Sequence, residues 1–195
     1  MTDAERAARY EALFGRVYEP LQRYLRRRTD PTSAEDLLAE TLTTIWRRLD
    51  DVPDVGATDD GAPTNVELAW CYAVARHTLA NGRRARGRHL RLVDKVGRND
   101  LGGVTVAGAD ASIGDTDPEL DRALSELSDD DRELLRLWAW EQLEPREIAA
   151  VLGITPNAAS IRLHRAKGHL RDALGDERIG DGLDTDGSGP GGRTR

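Results

Sequence analysis

Near the C-terminal end of the chain, Asn157, Ser160, Ile161, Arg162, His164 and Arg165 crowd into a short segment that opens on Thr155-Pro156. At helical spacing Ala159, Leu163, Ala166 and Leu170 turn to one side. Asn157, Ile161, His164 and Arg165 then fall roughly opposite, with Ser160 and Arg162 on the flanks. Such a face can recognise DNA. A guanidinium presents two parallel donors to guanine, amides and hydroxyls pair with base edges, and a helix N-terminus attracts phosphate. Lys167 and Arg171 follow where contact with the phosphate backbone is natural. Before this helix, Pro145 to Leu152 reads as a short apolar helix and Gly153 as the centre of a turn. The whole is the layout of a helix-turn-helix. A plain helical hairpin with a solvated basic face would satisfy the same spacing.

A second group lies earlier. Arg83, Arg84, Arg86, Arg88 and Arg91 follow Trp70, His77 and Asn81 along one helical stretch. Trp70, His77, Asn81, Arg84 and Arg88 share a side, and Leu68, Cys71, Tyr72, Ala75 and Leu79 share another. Bases beside an aromatic suit a strand whose bases are unstacked, because an aromatic face stacks any base while arginine holds phosphate. The plainer reading has Trp70 partly buried and the arginines solvated. A third face, Asp36, Glu40, Thr43, Thr44 and Arg47 beside Trp46, is mixed and polar, either merely solvated or a surface that docks another protein.

Enzymatic chemistry finds little to recruit. His77, His89, His164 and His169 sit in or beside basic helices, without a carboxylate pair or a Ser-His arrangement. His164 and His169 are not at the i, i+4 spacing of a helical metal pair, and Cys71 is the only cysteine, so no metal or cofactor is expected. Cys71 reads as a buried, inert thiol.

These groups must be positioned by helices. Phe14, Val17, Leu21 and Leu25 define a first amphipathic helix over Tyr10 to Arg27, broken at Thr29-Asp30-Pro31. A second helix carries Leu38, Leu42, Ile45 and Leu49 and is expected to be capped by Thr32 or Ser33, with Glu35 or Asp36 completing a capping box. Asp51 to Thr64, with Pro53, Gly56, Gly61 and Pro63, reads as an acidic loop. The third helix is expected over Val66 to Arg88, weakened towards its end by Gly82 and Gly87. Asp117 to Leu127 predicts a further helix. Ser128 with Asp131 then caps one bearing Leu134, Leu135, Leu137 and Trp138, and Gly175 is expected to end the last.

The expected fold is all-α: two small helical domains joined by a flexible linker, the second a helix-turn-helix. The boundaries are 1–96, a linker at 97–116, 117–175, and a disordered acidic, glycine-rich tail at 176–195. No apolar run reaches membrane-spanning length and the first residues form no signal core, so a cytoplasmic protein without membrane insertion is expected. The net charge is −7, which argues against nucleic acid until its distribution is considered. Acids crowd Asp50 to Asp60, Asp115 to Asp131 and Asp176 to Asp186, while bases crowd Arg76 to Arg98 and Arg162 to Arg171. Two basic patches on an acidic body bind phosphate locally yet are repelled overall. Such a chain needs a partner to hold it on DNA.

Ala34-Glu35-Asp36-Leu37-Leu38-Ala39-Glu40-Thr41-Leu42, followed by Ile45-Trp46-Arg47-Arg48-Leu49, closely resembles the core-polymerase-binding helix of extracytoplasmic-function sigma factors. Ala69-Trp70-Cys71-Tyr72-Ala73-Val74-Ala75-Arg76-His77 resembles that family's next helix, which reads and opens the −10 element. Arg162-Leu163-His164-Arg165-Ala166 with the preceding turn resembles its −35 reader. The three motifs stand in the family's order, across about Tyr10 to Leu174. The resemblance implies a subunit that binds RNA polymerase core, recognises promoter DNA and helps to melt it, usually held inactive by an anti-sigma factor. It implies that Asp36, Glu40, Thr43 and Arg47 dock on the polymerase. It assigns Trp70, His77, Asn81, Arg83, Arg84, Arg86 and Arg88 to the −10 element. Asn157, Ser160, Ile161, Arg162, His164, Arg165 and Lys167 are assigned to the −35 element. His77 stands where the family generally has Asn. The competing expectation is a stand-alone helix-turn-helix regulator that binds an operator tightly without polymerase.

Overall fold

The structure is a computed structural model that describes residues 2–53, 65–96 and 118–174. Among these residues there are only helices: α1 (Asp3–Arg26), α2 (Pro31–Arg47), a 3-10 turn (Leu49–Asp51), α3 (Asn65–Val96), α4 (Pro118–Ser125), α5 (Asp129–Ala139), α6 (Pro145–Leu152) and α7 (Pro156–Ala173). The all-α expectation holds. The acidic loop beyond residue 53, the linker at 97–116, the stop at Gly175 and the tail at 176–195 lie outside the described residues.

Local chemistry sets most boundaries. Thr2 and Glu5 form a reciprocal capping box, so α1 begins well before the expected Tyr10. The cap expected at Thr32 or Ser33 is instead Asp30. Its side chain accepts from the Ser33 amide, and Pro31 takes the first helical position, where a missing N–H costs nothing. Those bonds from Ser33 hold the Asp30 carboxyl below its ordinary pKa. Ser128 accepts from the Asp131 amide at 3.2 Å, and Thr155 from the Ala158 amide at 3.2 Å, both as expected.

Glycine acts differently at two places. At Gly82 a Cβ would stand 3.0 Å from Leu37 Cδ2, so the bare backbone lets α3 approach α2 closely, and the helix runs on to Val96. The weakening expected of Gly82 and Gly87 does not end it. At Gly153, φ is +68°, the left-handed conformation that closes α6 and turns the chain into α7. A Cβ there would meet nothing within 4 Å, so the strain on substitution is purely conformational. Gly153→Ala is therefore expected to lower stability by about 1–2 kcal/mol, read as a shifted midpoint in urea unfolding of the full chain.

The first three helices and the 3-10 turn bury Leu13, Val17, Leu21, Leu25, Ile45 and Leu49 together with Cys71, Tyr72 and Ala75. Phe14 was expected inward. It stands 38% exposed instead, and Leu13 takes the inner position. α4–α7 bury Leu134, Leu137, Ile148, Ala149, Ala159 and Leu163, while Trp138 of α5 is 43% exposed. Burying each large aliphatic side chain stabilises by about 1.5–3 kcal/mol. The two helical groups also pack on one another, chiefly α3 on α6, and their buried residues join into one cluster.

Candidate nucleic-acid interface

On α7, the apolar positions Ala159, Leu163 and Ala166 lock the helix to α5 and α6. That fixes what points outward. Asn157, Ser160, Ile161, His164 and Arg165 are exposed, with Ile161 at 45%. The Ser160 hydroxyl donates to the Pro156 carbonyl at 3.1 Å, a bond within its own helix. The remaining two assigned residues turn elsewhere. Arg162 reaches back to Asp130 and Asp131, each at 3.5 Å. The Lys167 ammonium sits over the Trp138 ring, 3.4 Å from its centre.

On α3, Trp70 is half-buried, with the Arg48 guanidinium 5.4 Å from its ring centre. The aromatic face read as a stacking platform already carries a cation. Asn81 is exposed and accepts from Arg84 at 2.6 Å. Arg83 donates to the Arg28 carbonyl at 3.2 Å, and Arg86 donates to the Ser33 hydroxyl at 2.7 Å and pairs with Asp30 at 3.5 Å. Two of the arginines therefore lean on the α1–α2 corner, while Arg88 is exposed. His77, Arg83 and Arg84 gather with Arg76 around a cleft of about 440 Å³, whose far wall is α5 with Asp129, Asp130 and Glu133.

On α2, Asp36, Glu40, Thr43 and Arg47 form one exposed polar stripe. Thr43 donates to the Ala39 carbonyl and Thr44 to that of Glu40, so both hydroxyls are satisfied within the helix. Beside this stripe lies a feature that sequence reasoning missed. Tyr10, Phe14, Tyr18 and Trp46 form a continuous aromatic strip, with neighbouring ring centres 5.1–6.1 Å apart. Phe14 and Tyr18 stand at i, i+4, the spacing that was available to find it.

The other missed group is Arg28, the largest fully buried side chain among the described residues. Its guanidinium reaches Glu133 at 2.8 Å and Glu141 at 3.0 Å, and covers the Tyr24 ring at 3.7 Å. The Tyr24 hydroxyl donates to Glu133 at 3.0 Å. Burial pushes the Tyr24 phenol well up, and the Glu133 carboxylate adds to that, so the hydroxyl keeps its proton and remains a donor. Burial is the largest influence on Arg28 and opposes its charge, but Glu133, Tyr24 and Glu141 together outweigh it and leave the guanidinium above its ordinary value. Arg27 adds a contact to Glu141 at 3.4 Å. The bonds to Glu133 and Glu141 all join the end of α1 to α5 or the turn that follows it.

Among the described residues no group of His, Cys, Asp or Glu is placed to hold a metal ion. The described residues present two cationic helical faces, on α3 and α7, and an aromatic and polar face on α1 and α2.

Comparison with known proteins gives a consistent picture. Residues 118–170 match the family model for sigma-70, region 4. The chain is 34% identical to the RNA polymerase sigma factor CarQ of Myxococcus xanthus over 173 residues, covering 86% of this chain and 90% of that protein. It is 30% identical to the ECF RNA polymerase sigma factor SigL of Mycobacterium tuberculosis, covering 88% and 92%. In fold it is similar to RpoE from Bartonella quintana, solved with the anti-sigma factor NepR. The TM-score is 0.59 at 22% identity, over 87% of this chain and 98% of the other.

Proposed function

Because this chain belongs to the extracytoplasmic-function RNA polymerase sigma factors, we propose that it docks on core polymerase through α2 and brings α3 and α7 to promoter DNA. The observation that carries this reading is the presence of two separate cationic helical faces on a chain whose net charge is −7. Long-range attraction to DNA is set by the whole charge distribution, so an acidic chain with local basic faces gains little from DNA alone. Carried by polymerase, the same faces act at close range.

In this reading Asp36, Glu40, Thr43 and Arg47, with the aromatic strip beside them, meet the polymerase. Aromatic side chains are the usual anchors of protein interfaces. His77, Asn81 and the arginines of α3 with Trp70 meet the −10 element. Asn157, Ser160, Ile161, His164 and Arg165 read the −35 element, with Arg162 and Lys167 on phosphate once released from their present partners. The chain acts by binding rather than catalysis. The match to RpoE, solved with NepR, supports control by an anti-sigma protein. No described helix is long and apolar enough to cross a membrane, and we place the chain where polymerase works, in the cytoplasm.

The test is run-off transcription with purified core polymerase on candidate promoters, paired with co-purification of the two. Wild type is expected to co-purify and to give a promoter-dependent transcript. Asp36→Ala is expected to weaken co-purification by several-fold and Arg165→Ala to leave it intact. Tight, specific operator binding by the chain alone, with no response to polymerase, would instead mark a stand-alone regulator.

A further inference from the structure

Trp70 opens the stripe of α3 that continues through His77, Asn81, Arg84 and Arg88, and no basic residue of α3 precedes Arg76. Arg84 lies about 20 Å beyond Trp70 at the rise of an α-helix, so the nearest arginine of that stripe does not reach a base seated on the ring. Arg76 is closer but turns to Asp130, at 3.6 Å. The cation at the aromatic end comes from another element. Arg48, the residue that closes α2, stands with its guanidinium carbon 5.4 Å from the Trp70 ring centre.

The state of that guanidinium is unlike its counterparts. Its Nε donates to Asp51 Oδ2 at 2.9 Å, which holds the group by one edge. Among the described residues no acceptor takes its two terminal nitrogens, and more than half of the side chain is in water. Arg6, which covers Trp46 at the same end of α2, is already committed: it donates to Asp50 and to the Trp46 carbonyl, each at 2.8 Å. Trp70 itself is fixed, half-buried against the core. A fixed ring thus lies under a planar cation that is free to move. Carbon atoms in contact stand about 3.5–4 Å apart, so a base between the two groups needs about 7 Å. Arg48 has to retreat by about 2 Å to admit one, a small step for a solvated side chain at a helix end.

We propose that Arg48 and Trp70 form a clamp for one unpaired base of the opened promoter strand. The base stacks on the Trp70 ring, the guanidinium plane closes on its other face, and the terminal nitrogens take a neighbouring phosphate. Arginine suits this place where lysine does not, because its planar group stacks as well as carrying charge. In a duplex both faces of a base are covered by its neighbours, so the clamp accepts only a strand already unstacked. The proposal rests on the sigma-factor reading and adds to its −10 face a residue that lies outside α3.

The test uses the full-length chain, alone and with core polymerase. The probes are mixed-sequence single-stranded oligonucleotides and their duplexes, each carrying a purine analogue whose fluorescence falls on stacking. Wild type is expected to prefer the single strand and to quench the analogue. Arg48→Ala, a change at an exposed position, is expected to lower the preference for single strand over duplex about five-fold and to remove most of the quench. Arg48→Lys keeps the charge without the plane and is expected to recover little of either. Full recovery by lysine would reduce Arg48 to a phosphate contact and overturn the clamp. Wild-type preference and quench in Arg48→Ala, or a stronger quench once the ring is uncovered, would overturn it too, as would a wild type that neither prefers the single strand nor quenches. A wild type that gives no transcript with core polymerase overturns the sigma-factor reading instead, while quench by the isolated chain still decides the clamp.

Discussion

Transcription from the chain's own promoter is expected to fall about five- to hundred-fold when Arg165 becomes Ala, with polymerase binding unchanged. Arg165 is exposed on the outer face of α7, whereas Arg162 is tied to Asp130 and Asp131. A guanidinium that meets a guanine edge with two parallel bonds discriminates by about 1–3 kcal/mol, and each 1.4 kcal/mol is about a factor of ten. The measurement is run-off transcription at several salt concentrations on the promoter and on single-base variants of its −35 element. A base contact predicts relaxed specificity at one position. A phosphate contact predicts a uniform loss across sequences and a salt slope smaller by about one. A variant as active and selective as wild type would remove Arg165 from the reading face.

The largest effect on stability is expected at Leu137. Its side chain is fully buried in α5, between Leu134 and the turn where the Leu143 amide returns to the Leu137 carbonyl at 3.1 Å. Leu137→Ala removes that packing and leaves a cavity, at about 2–5 kcal/mol, a large share of the 5–15 kcal/mol typical of a folded domain. Thermal unfolding followed by circular dichroism should show a midpoint lower by about ten degrees or more. Trp138→Ala, one residue on, should stay within about 1 kcal/mol, because that ring is already half in water. Similar losses at both positions would mean that the inner and outer faces of α5 have been assigned wrongly.

Much of this was legible in the chain because local signals agreed with tertiary ones. Thr155-Pro156 and Ser128 with Asp131 are caps whose chemistry is complete within a few residues. Ala159, Leu163 and Ala166 turn inward as their spacing requires. Where two local solutions competed, reading failed. Asp30 ahead of Pro31 outranked Thr32 and Ser33 because proline occupies the first helical position and leaves the preceding residue as the cap. Phe14 fits the apolar spacing of α1 as well as Leu13 does, and only packing decides between them. The candidate interface was legible as faces but not as pairings. Nothing in Arg26-Arg27-Arg28 says that the last is buried, because its partners Glu133 and Glu141 are more than a hundred residues away. Arg48 over Trp70 and Asp130 between Arg76 and Arg162 are likewise contacts between elements, which periodicity along one helix cannot register.

The Cys71 thiol lies fully enclosed between the helices, and burial, reinforced by Glu67, pushes its pKa up to about 12. At neutral pH almost none of it is thiolate, the form that peroxide and electrophiles attack. With a single cysteine, this polypeptide also has no second thiol to pair with. In the folded chain Cys71 thus acts as packing among the helices and offers oxidants no handle.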